Sequence, residues 1–96
     1  MESFIFARFH ARENLEDAVF AALREQVILT RGEPGCLMIN AFRSAHDPRQ
    51  FFIHSRWRDE AAFDVHAELP STLSFVEKME GLIDHRFDVH RTHAIA

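Results

Sequence analysis

The order of strand-like and helix-like segments constrains the fold of this chain more than any other feature. Alternating apolar segments predict four strands, and apolar residues at helical spacing follow the first and the third of them. The resulting order, βαββαβ with the second helix broken in two, is that of the ferredoxin-like split βαβ motif. We therefore predict an α+β fold with a four-stranded antiparallel sheet, in one domain over residues 1–96. The predicted strands span residues 3–11, 35–43, 51–57 and 85–93, and the predicted helices lie between Asn14 and Gly32 and at about 60–67 and 72–80.

Capping and turn residues mark the ends of the predicted helices. Asn14 is a favourable N-cap for the first helix, with Asp17 three residues later in a position like that of a capping box. Five more residues set the other boundaries: Asp59 and Ser71 as caps, Pro70 as a break, and Gly32 and Gly81 as helix ends.

One face of the predicted sheet has no helices to cover it. In a ferredoxin-like fold the helices pack on a single face, and the strands of this chain are apolar on both faces. An exposed apolar face usually marks an interface, so we expect a homodimer with Phe4, Phe6 and Phe52 near the contact. The alternative is a monomer in which polar side chains solvate that face: Arg8, His10, His54 and Arg56.

Composition excludes several classes of partner. The formal net charge of −4 argues against a nucleic-acid backbone as the main partner, because phosphate binding needs a concentrated basic face. No segment approaches the length of a membrane span, and the N-terminus lacks the basic and apolar regions of a signal peptide. The single cysteine, Cys36, suits a reducing compartment, so we expect a cytoplasmic protein. Ten Phe residues and no Tyr predict that any cavity is dry.

Two segments carry a resemblance to a known family. An apolar strand ends at Trp57, an Asp-Glu-Ala-Ala-Phe segment turns into a helix, and His66 and Pro70 follow; "EPGCL" at 33–37 is the second segment. With them the chain, from its first strand to Val89, resembles the antibiotic biosynthesis monooxygenase (ABM) domain. The resemblance implies a dimeric α+β barrel. The chain departs from many members of that family at two positions, where Ser55 replaces Glu and Ser71 replaces His.

The resemblance also implies a chemistry. Characterised ABM oxygenases use neither metal nor flavin, because the electron-rich substrate supplies the electrons for O2. The protein then has to bind an aromatic ring, help to remove a proton and exclude water. We accordingly expect a cofactor-independent monooxygenase acting with O2 on a small aromatic, quinol or polyketide-type substrate, with no cofactor and no metal.

The strand-to-helix turn brings the candidate site residues together. Side chains alternate along a strand, so Ile53, Ser55 and Trp57 share one face, and the following helix folds back over it. Phe63 and His66 lie on one stripe of that helix. We predict that His66 is the catalytic base, since an imidazole can accept a proton near neutral pH, and that the other four residues bind substrate.

Asn40 is a further candidate for substrate binding. It shares a face of the second strand with Met38 and Phe42, and its amide could hold a substrate oxygen. A hydrogen-bonded strand residue or an interface residue is the alternative interpretation.

The seven histidines do not form a metal-binding pattern in the sequence. His10, His54 and His90 fall on three separate predicted strands, and no pair of histidines has the i, i+4 helical spacing or the H-x-E-x-H clustering of a convincing metal site. Haem-degrading relatives need an Asn on the first strand, and the segment 3–11 has none.

Two other functions fit the same pattern. One is a cofactor-free isomerase of a small metabolite; an anionic substrate would then require Arg8, Arg56 or Arg86 inside the pocket. The other is a non-enzymatic, dimeric binding or stress-associated module, which a pocket closed by Phe side chains would favour.

Overall fold

The structure, a computed structural model, describes residues 1–96 and contains the predicted four strands and three helices. The strands are β1 (Ser3–His10), β2 (Cys36–Arg43), β3 (Gln50–Trp57) and β4 (Asp88–Thr92). The helices are α1 (Glu16–Thr30), α2 (Glu60–Glu68) and α3 (Pro70–Glu80). The βαββαβ order with a divided second helix is thereby confirmed.

The four strands form one antiparallel sheet in the order β2-β3-β1-β4. β1 and β3 are the central strands, and their register places Ile5 opposite Ser55 and Ala7 opposite Ile53. All four of these residues are buried beneath the helices. The antiparallel, helix-covered sheet of the ferredoxin-like fold is therefore the observed architecture.

The core lies between the sheet and α1, where α1 packs a stripe of buried residues against the strands. Val19, Leu23 and Val27 recur at helical spacing and contact the sheet in one apolar cluster. Phe9 stacks on Phe87 in the same cluster, with ring centroids 4.9 Å apart. A smaller cluster of Ile5, Trp57 and Ala62 lies under α2.

Two of the predicted helix caps were wrong. Asn14 does not cap α1: its φ is 70°, its backbone N–H donates to Glu16 Oε1 (3.0 Å), and the helix begins at Glu16 without a side-chain cap. Asn is one of the few residues that tolerate this left-handed conformation. Ser71 does not cap α3 either, because Pro70 is already the first residue of that helix. The fixed φ of proline suits that position, where no N–H is needed.

Other boundaries follow the sequence closely. Asp59 caps α2, as predicted, by accepting a hydrogen bond from the backbone N–H of Ala62 (2.8 Å). Gly81 follows the last residue of α3.

β4 is shorter than the predicted 85–93, because Asp84 is held at the end of β1 through its own N–H, which donates to the carbonyl of His10 (3.0 Å). Pairing with β1 begins only at Asp88, opposite Arg8.

The opposite face of the sheet carries no helix and exposes aromatic side chains. Phe6 is 47% exposed and Phe42 is 52% exposed on this face. Ion pairs border them, including Arg8 with Asp88. None of the three helices combines the length and the apolar character that crossing a membrane requires.

Candidate active site

A cavity of about 330 Å³ lies between the helix-covered face of the sheet and the helices. This volume is at the lower end of the range for small-molecule sites. Its walls are mainly apolar, with a few polar groups among them. Its lining comprises Ile5, Ala7, Phe9, Gln26, Thr30, Ile39, Ile53, Ser55, Phe63, His66, Ala67, Thr72, Phe75, Val76, Phe87, Val89 and Arg91.

His66 and Glu33 form a hydrogen-bonded pair at this cavity. His66 Nδ1 lies 2.7 Å from Glu33 Oε1, and the two side chains are only 11% and 12% exposed. A carboxylate accepts hydrogen bonds, so the proton of a neutral imidazole belongs on Nδ1 in this arrangement. The other ring nitrogen, Nε2, makes no hydrogen bond within the protein. The pair therefore leaves the basic nitrogen of His66 free to act.

Glu33 was not among the residues predicted from the sequence. Its second carboxylate oxygen, Oε2, is buried and makes no hydrogen bond. A buried and incompletely paired carboxylate is costly, which often indicates a functional role. The "EPGCL" segment contains Glu33, and that segment was the available signal. Its partner, however, is 33 positions away along the chain.

Gly35 allows the loop that carries Glu33 to approach α2. Its φ is +84°, and a Cβ atom at this position would lie 2.6 Å from Ala62 Cβ. The carbonyl of Gly35 also accepts a hydrogen bond from the N–H of Arg58 (2.9 Å), at the end of β3. Only glycine combines this conformation with this close contact. The turn thereby places Glu33 beside the helix that carries His66.

Trp57 supports His66 from behind and does not line the cavity. It is fully buried, and its indole Nε1 donates to Ser55 Oγ (3.0 Å). The rings of Trp57 and His66 are 4.8 Å apart, and Phe63 packs against both. The prediction that Trp57 and His66 lie together is confirmed. The prediction that the substrate ring stacks on Trp57 was wrong, because Phe63 and the turn into α2 cover the indole.

The other predicted site residues separate into two groups. Ile53, Ser55 and Phe63 all line the cavity beside His66. Asn40 does not, because it lies opposite His54 on the helix-free face of the sheet. Its amide oxygen accepts from Arg31 Nη2 (2.9 Å), which is the structural role considered as an alternative.

Two polar residues of the cavity were not singled out from the sequence. Gln26 of α1 is 7% exposed, and its side-chain amide makes no hydrogen bond within the protein. Thr72 of α3 places its hydroxyl 3.4 Å from His66 Nδ1. Both residues lie on helices whose buried faces look apolar in sequence, so helical spacing gave no signal for them. They add hydrogen-bonding groups to an otherwise apolar wall.

Arg91 closes one side of the cavity. This β4 residue pairs with Asp64 and Glu60 of α2, and its guanidinium lies 4.8 Å from the centroid of Phe63. The hydrogen bond to Asp64 raises the pKa of Arg91 above its ordinary value. Arg91 therefore ties β4 to α2, with its charge already engaged.

The arginines named as markers of an anionic substrate lie outside this cavity. Arg8 pairs with Asp88 and Arg56 pairs with Glu2 on the helix-free side. Arg86 lines a separate hollow that adjoins the cavity.

One cluster of possible metal ligands lies elsewhere, at the end of β1. His10, Asp84 and His85 each place a ligand atom within 4.8 Å of the others. Asp84 already accepts hydrogen bonds from both imidazoles and from Arg49. Because the guanidinium of Arg49 already pairs with the carboxylate of Asp84, we interpret the cluster as an ion-pair network. His54 and His90, the other two histidines considered as ligands, flank Phe6 on the helix-free face.

Comparison with known proteins agrees with this arrangement. The family model described as "Antibiotic biosynthesis monooxygenase" matches residues 3–78. The chain belongs to the antibiotic biosynthesis monooxygenase family. The match includes both segments of the resemblance and both members of the His66–Glu33 pair. It ends within α3, before β4 and Arg91.

Solved structures share the ABM fold over almost their whole length. Rv0793 from Mycobacterium tuberculosis is 25% identical, with a TM-score of 0.93, and the alignment covers 100% of this chain and 97% of that one. SO0527 from Shewanella oneidensis is 28% identical, with a TM-score of 0.92 and coverage of 97% and 90%. PA3566 from Pseudomonas aeruginosa is 26% identical, with a TM-score of 0.90 and coverage of 99% and 95%.

Proposed function

We propose that the protein is a cofactor-independent monooxygenase that oxidises a small aromatic, quinol or polyketide-type substrate with O2. The observation that carries this proposal is the His66–Glu33 pair at the edge of a largely apolar cavity. An electron-rich phenol or enol becomes reactive toward O2 when it loses a proton. A cavity that binds the ring and offers one positioned base supplies what that step needs.

His66 is the proposed base. Its Nδ1 proton is held by Glu33, so Nε2 accepts the proton from the substrate hydroxyl. The imidazolium that forms is stabilised by the adjacent carboxylate, which also fixes the orientation of the ring. Trp57 and Phe63 pack against the imidazole and limit its movement. Glu33 acts through His66 and is a positioning residue.

The substrate supplies the electrons in this scheme. Its anion gives one electron to O2, and the resulting substrate radical and superoxide combine to a peroxide at the ring carbon. For an anthrone, loss of water from that peroxide converts the CH2 group into a carbonyl, so that one oxygen atom enters the product and the other leaves as water. The apolar walls exclude bulk water while these intermediates exist.

The alternative functions receive less support from the geometry. An isomerase that acts on the anionic end of a small metabolite would need an arginine beside His66, and none of the three lines that cavity; Arg86 lies in the adjoining hollow. The cavity is also not closed by its Phe side chains, because about 330 Å³ of space remains among them. That space favours a ligand-binding site over a module without one.

Oxygen consumption tests the proposal. Purified protein is mixed with anthrone or 1,4-dihydroxynaphthalene without added cofactor, and the uptake of O2 is measured against heat-treated protein, which corrects for spontaneous oxidation. Ala67 lines the cavity, so Ala67→Phe should fill it and abolish the enzymatic rate. Ala21, on the exposed face of α1, provides the matched control Ala21→Phe, which should keep that rate. Wild-type rates equal to those of heat-treated protein across a panel of phenols and enols would contradict the proposal.

We also propose a homodimer formed through the helix-free face. Phe6 and Phe42 are about half exposed there, and Phe4 and Phe52 are partly exposed beside them. Pairing two such faces removes aromatic surface from water, which is the main driving force for association.

A further inference from the structure

A second hollow adjoins the cavity and differs from it in charge. Its volume is about 740 Å³, and it lies between α3 and the segment that leads into β4. Val76, Phe87 and Val89 line both spaces, so these three side chains form their common wall. Only this wall of side chains separates a ligand seated in the cavity beside His66 from the hollow.

The hollow contains two arginines without partners. Arg12 and Arg86 line it, both are exposed, and neither makes a salt bridge or a side-chain hydrogen bond. Most arginines of the chain have a partner. Carboxylates pair with Arg8, Arg49, Arg56, Arg58 and Arg91, and carbonyl oxygens accept hydrogen bonds from Arg31 and Arg43. Two unpaired guanidiniums therefore share one concave surface, although the net charge of the protein is −4, and guanidinium groups are donors suited to oxyanions.

The acidic groups of the hollow do not cancel this charge. Asp84 lines the hollow, but it already accepts hydrogen bonds from His10, Arg49 and His85. Its hydrogen bond to His10 is the main reason that the pKa of Asp84 lies below its ordinary value. Glu80 also lines the hollow and has no partner, so it offsets only one of the two guanidiniums.

We propose that this hollow, with Arg12 and Arg86, binds a carboxylate or similar oxyanion carried by the substrate whose ring occupies the cavity. The inference rests on the proposed function and narrows its substrate class to aromatic or quinol acids. The ring fits the apolar cavity, where a buried charge would be costly. The anion stays in the wider, solvent-accessible hollow, where the guanidinium groups can form two parallel hydrogen bonds to it.

Two fluorescent probes that differ in a single charged group test this inference. 8-Anilinonaphthalene-1-sulfonate carries a sulfonate, and N-phenyl-1-naphthylamine is its neutral counterpart; both fluoresce in apolar cavities. Each is titrated into the wild type, the double variant Arg12→Gln/Arg86→Gln, and the control Arg24→Gln. Arg24 is likewise unpaired but lines a different hollow, between α1 and β2. Because the readout is binding, the result does not depend on whether the protein consumes O2.

The expected result is specific to the sulfonate. The double variant should bind the sulfonate probe more weakly, on the order of tenfold, because it lacks the charge-assisted hydrogen bonds from two solvent-exposed guanidiniums. It should leave the neutral probe unchanged, and Arg24→Gln should change neither. Glu80→Gln should strengthen binding of the sulfonate probe, and 0.5 M NaCl should reduce it. Ala67→Phe should weaken both probes, while the matched Ala21→Phe should weaken neither.

Three outcomes would overturn the inference. The first is unchanged sulfonate affinity in the double variant, with thermal unfolding showing that the variant is folded. The second is an equal loss for both probes, which would indicate a change of shape and no recognition of charge. The third is sulfonate binding that Ala67→Phe does not affect, because the probe would then bind away from the cavity.

Discussion

Glu33 Oε1 lies 2.7 Å from Nδ1 of His66, although the two residues are 33 positions apart in the chain. Both side chains are almost buried, and the second oxygen of Glu33 has no partner. A carboxylate in this position fixes the tautomer and the orientation of the imidazole. The proposed chemistry therefore depends on a pair, although the sequence indicated only its histidine.

Glu33→Gln should slow substrate oxidation on the order of tenfold, because an amide still accepts the Nδ1–H bond but no longer offers a full negative charge. The loss should appear in kcat, with KM nearly unchanged, since Glu33 does not touch the substrate. Initial rates of O2 uptake across pH 6 to 9 provide the measurement. The exposed Glu13 supplies the control Glu13→Gln, which should match the wild type. A Glu33→Gln variant with wild-type rates would exclude the positioning role.

Gly35→Ala should lower the free energy of unfolding by about 2–4 kcal/mol, because an added Cβ combines a left-handed backbone with overpacking. That Cβ would meet Ala62 Cβ at 2.6 Å. Gly32→Ala is the matched control, since the nearest atom to its Cβ would lie 3.7 Å away. Urea unfolding of both variants checks this. Equal stability of the two would show that α2 can move away from the turn at little cost.

His10 should make stability depend on pH. It pairs with Asp84 and Asp47, and the Asp84 hydrogen bond is the main cause of the rise in its pKa above the ordinary 6.5. Because folding raises the pKa of His10, its protonated form stabilises the fold in full at pH values below 6.5. This stabilisation is lost as the pH rises through the pKa of His10 in the folded state. The two aspartates, whose pKa values are lowered from 3.8, lose their contribution only in acid, as pH falls through those lowered values.

Thermal unfolding of His10→Gln checks this sign. The gap in Tm between wild type and variant should be widest near pH 5 and should narrow steadily toward pH 9. His46→Gln serves as the control, because His46 is exposed and has no carboxylate partner. A gap that stays constant over this range, or widens toward alkaline pH, would mean that His10 stabilises the fold through packing alone.

Phe6→Glu should convert the proposed dimer into a monomer. The substitution places a charge in the middle of the helix-free face, where desolvation on pairing would be costly. Phe20→Glu is the control, since Phe20 is 48% exposed, against 47% for Phe6, but lies on α1. Sedimentation velocity at micromolar concentration should give a dimer for the wild type and Phe20→Glu. A monomeric wild type would contradict the proposed interface.

Local patterns in the sequence were enough to predict the elements and much of the site. Alternation placed Ile53, Ser55 and Trp57 on one strand face, and helical spacing placed Phe63 and His66 on one stripe. Alternation could not predict that Trp57 is fully buried, because its burial depends on how α2 packs over it. It also grouped Asn40 with Met38 and Phe42 but could not say which side of the sheet they share.

The partners of the site residues depended on tertiary structure. Glu33 reaches His66 only through the close contact of Gly35 with α2, and no local pattern reports a contact between such distant segments. Gln26 and Thr72 enter the cavity from two different helices. The network of His10 joins the end of β1 to two loops in the same way. Distant contacts of this kind require the fold before they can be identified.

The pH dependence of His66→Ala tests the central claim most directly. O2 uptake with an anthrone or quinol substrate is measured from pH 6 to 9 for the wild type, for His66→Ala and for the control His46→Ala. The account predicts a loss of roughly 10²- to 10⁴-fold for His66→Ala near neutral pH, as is typical of a missing general base. That loss should shrink as pH rises, because hydroxide then generates the substrate anion, and His46→Ala should follow the wild type. Equal rates for His66→Ala and an active wild type at every pH would contradict the claim that His66 is the base.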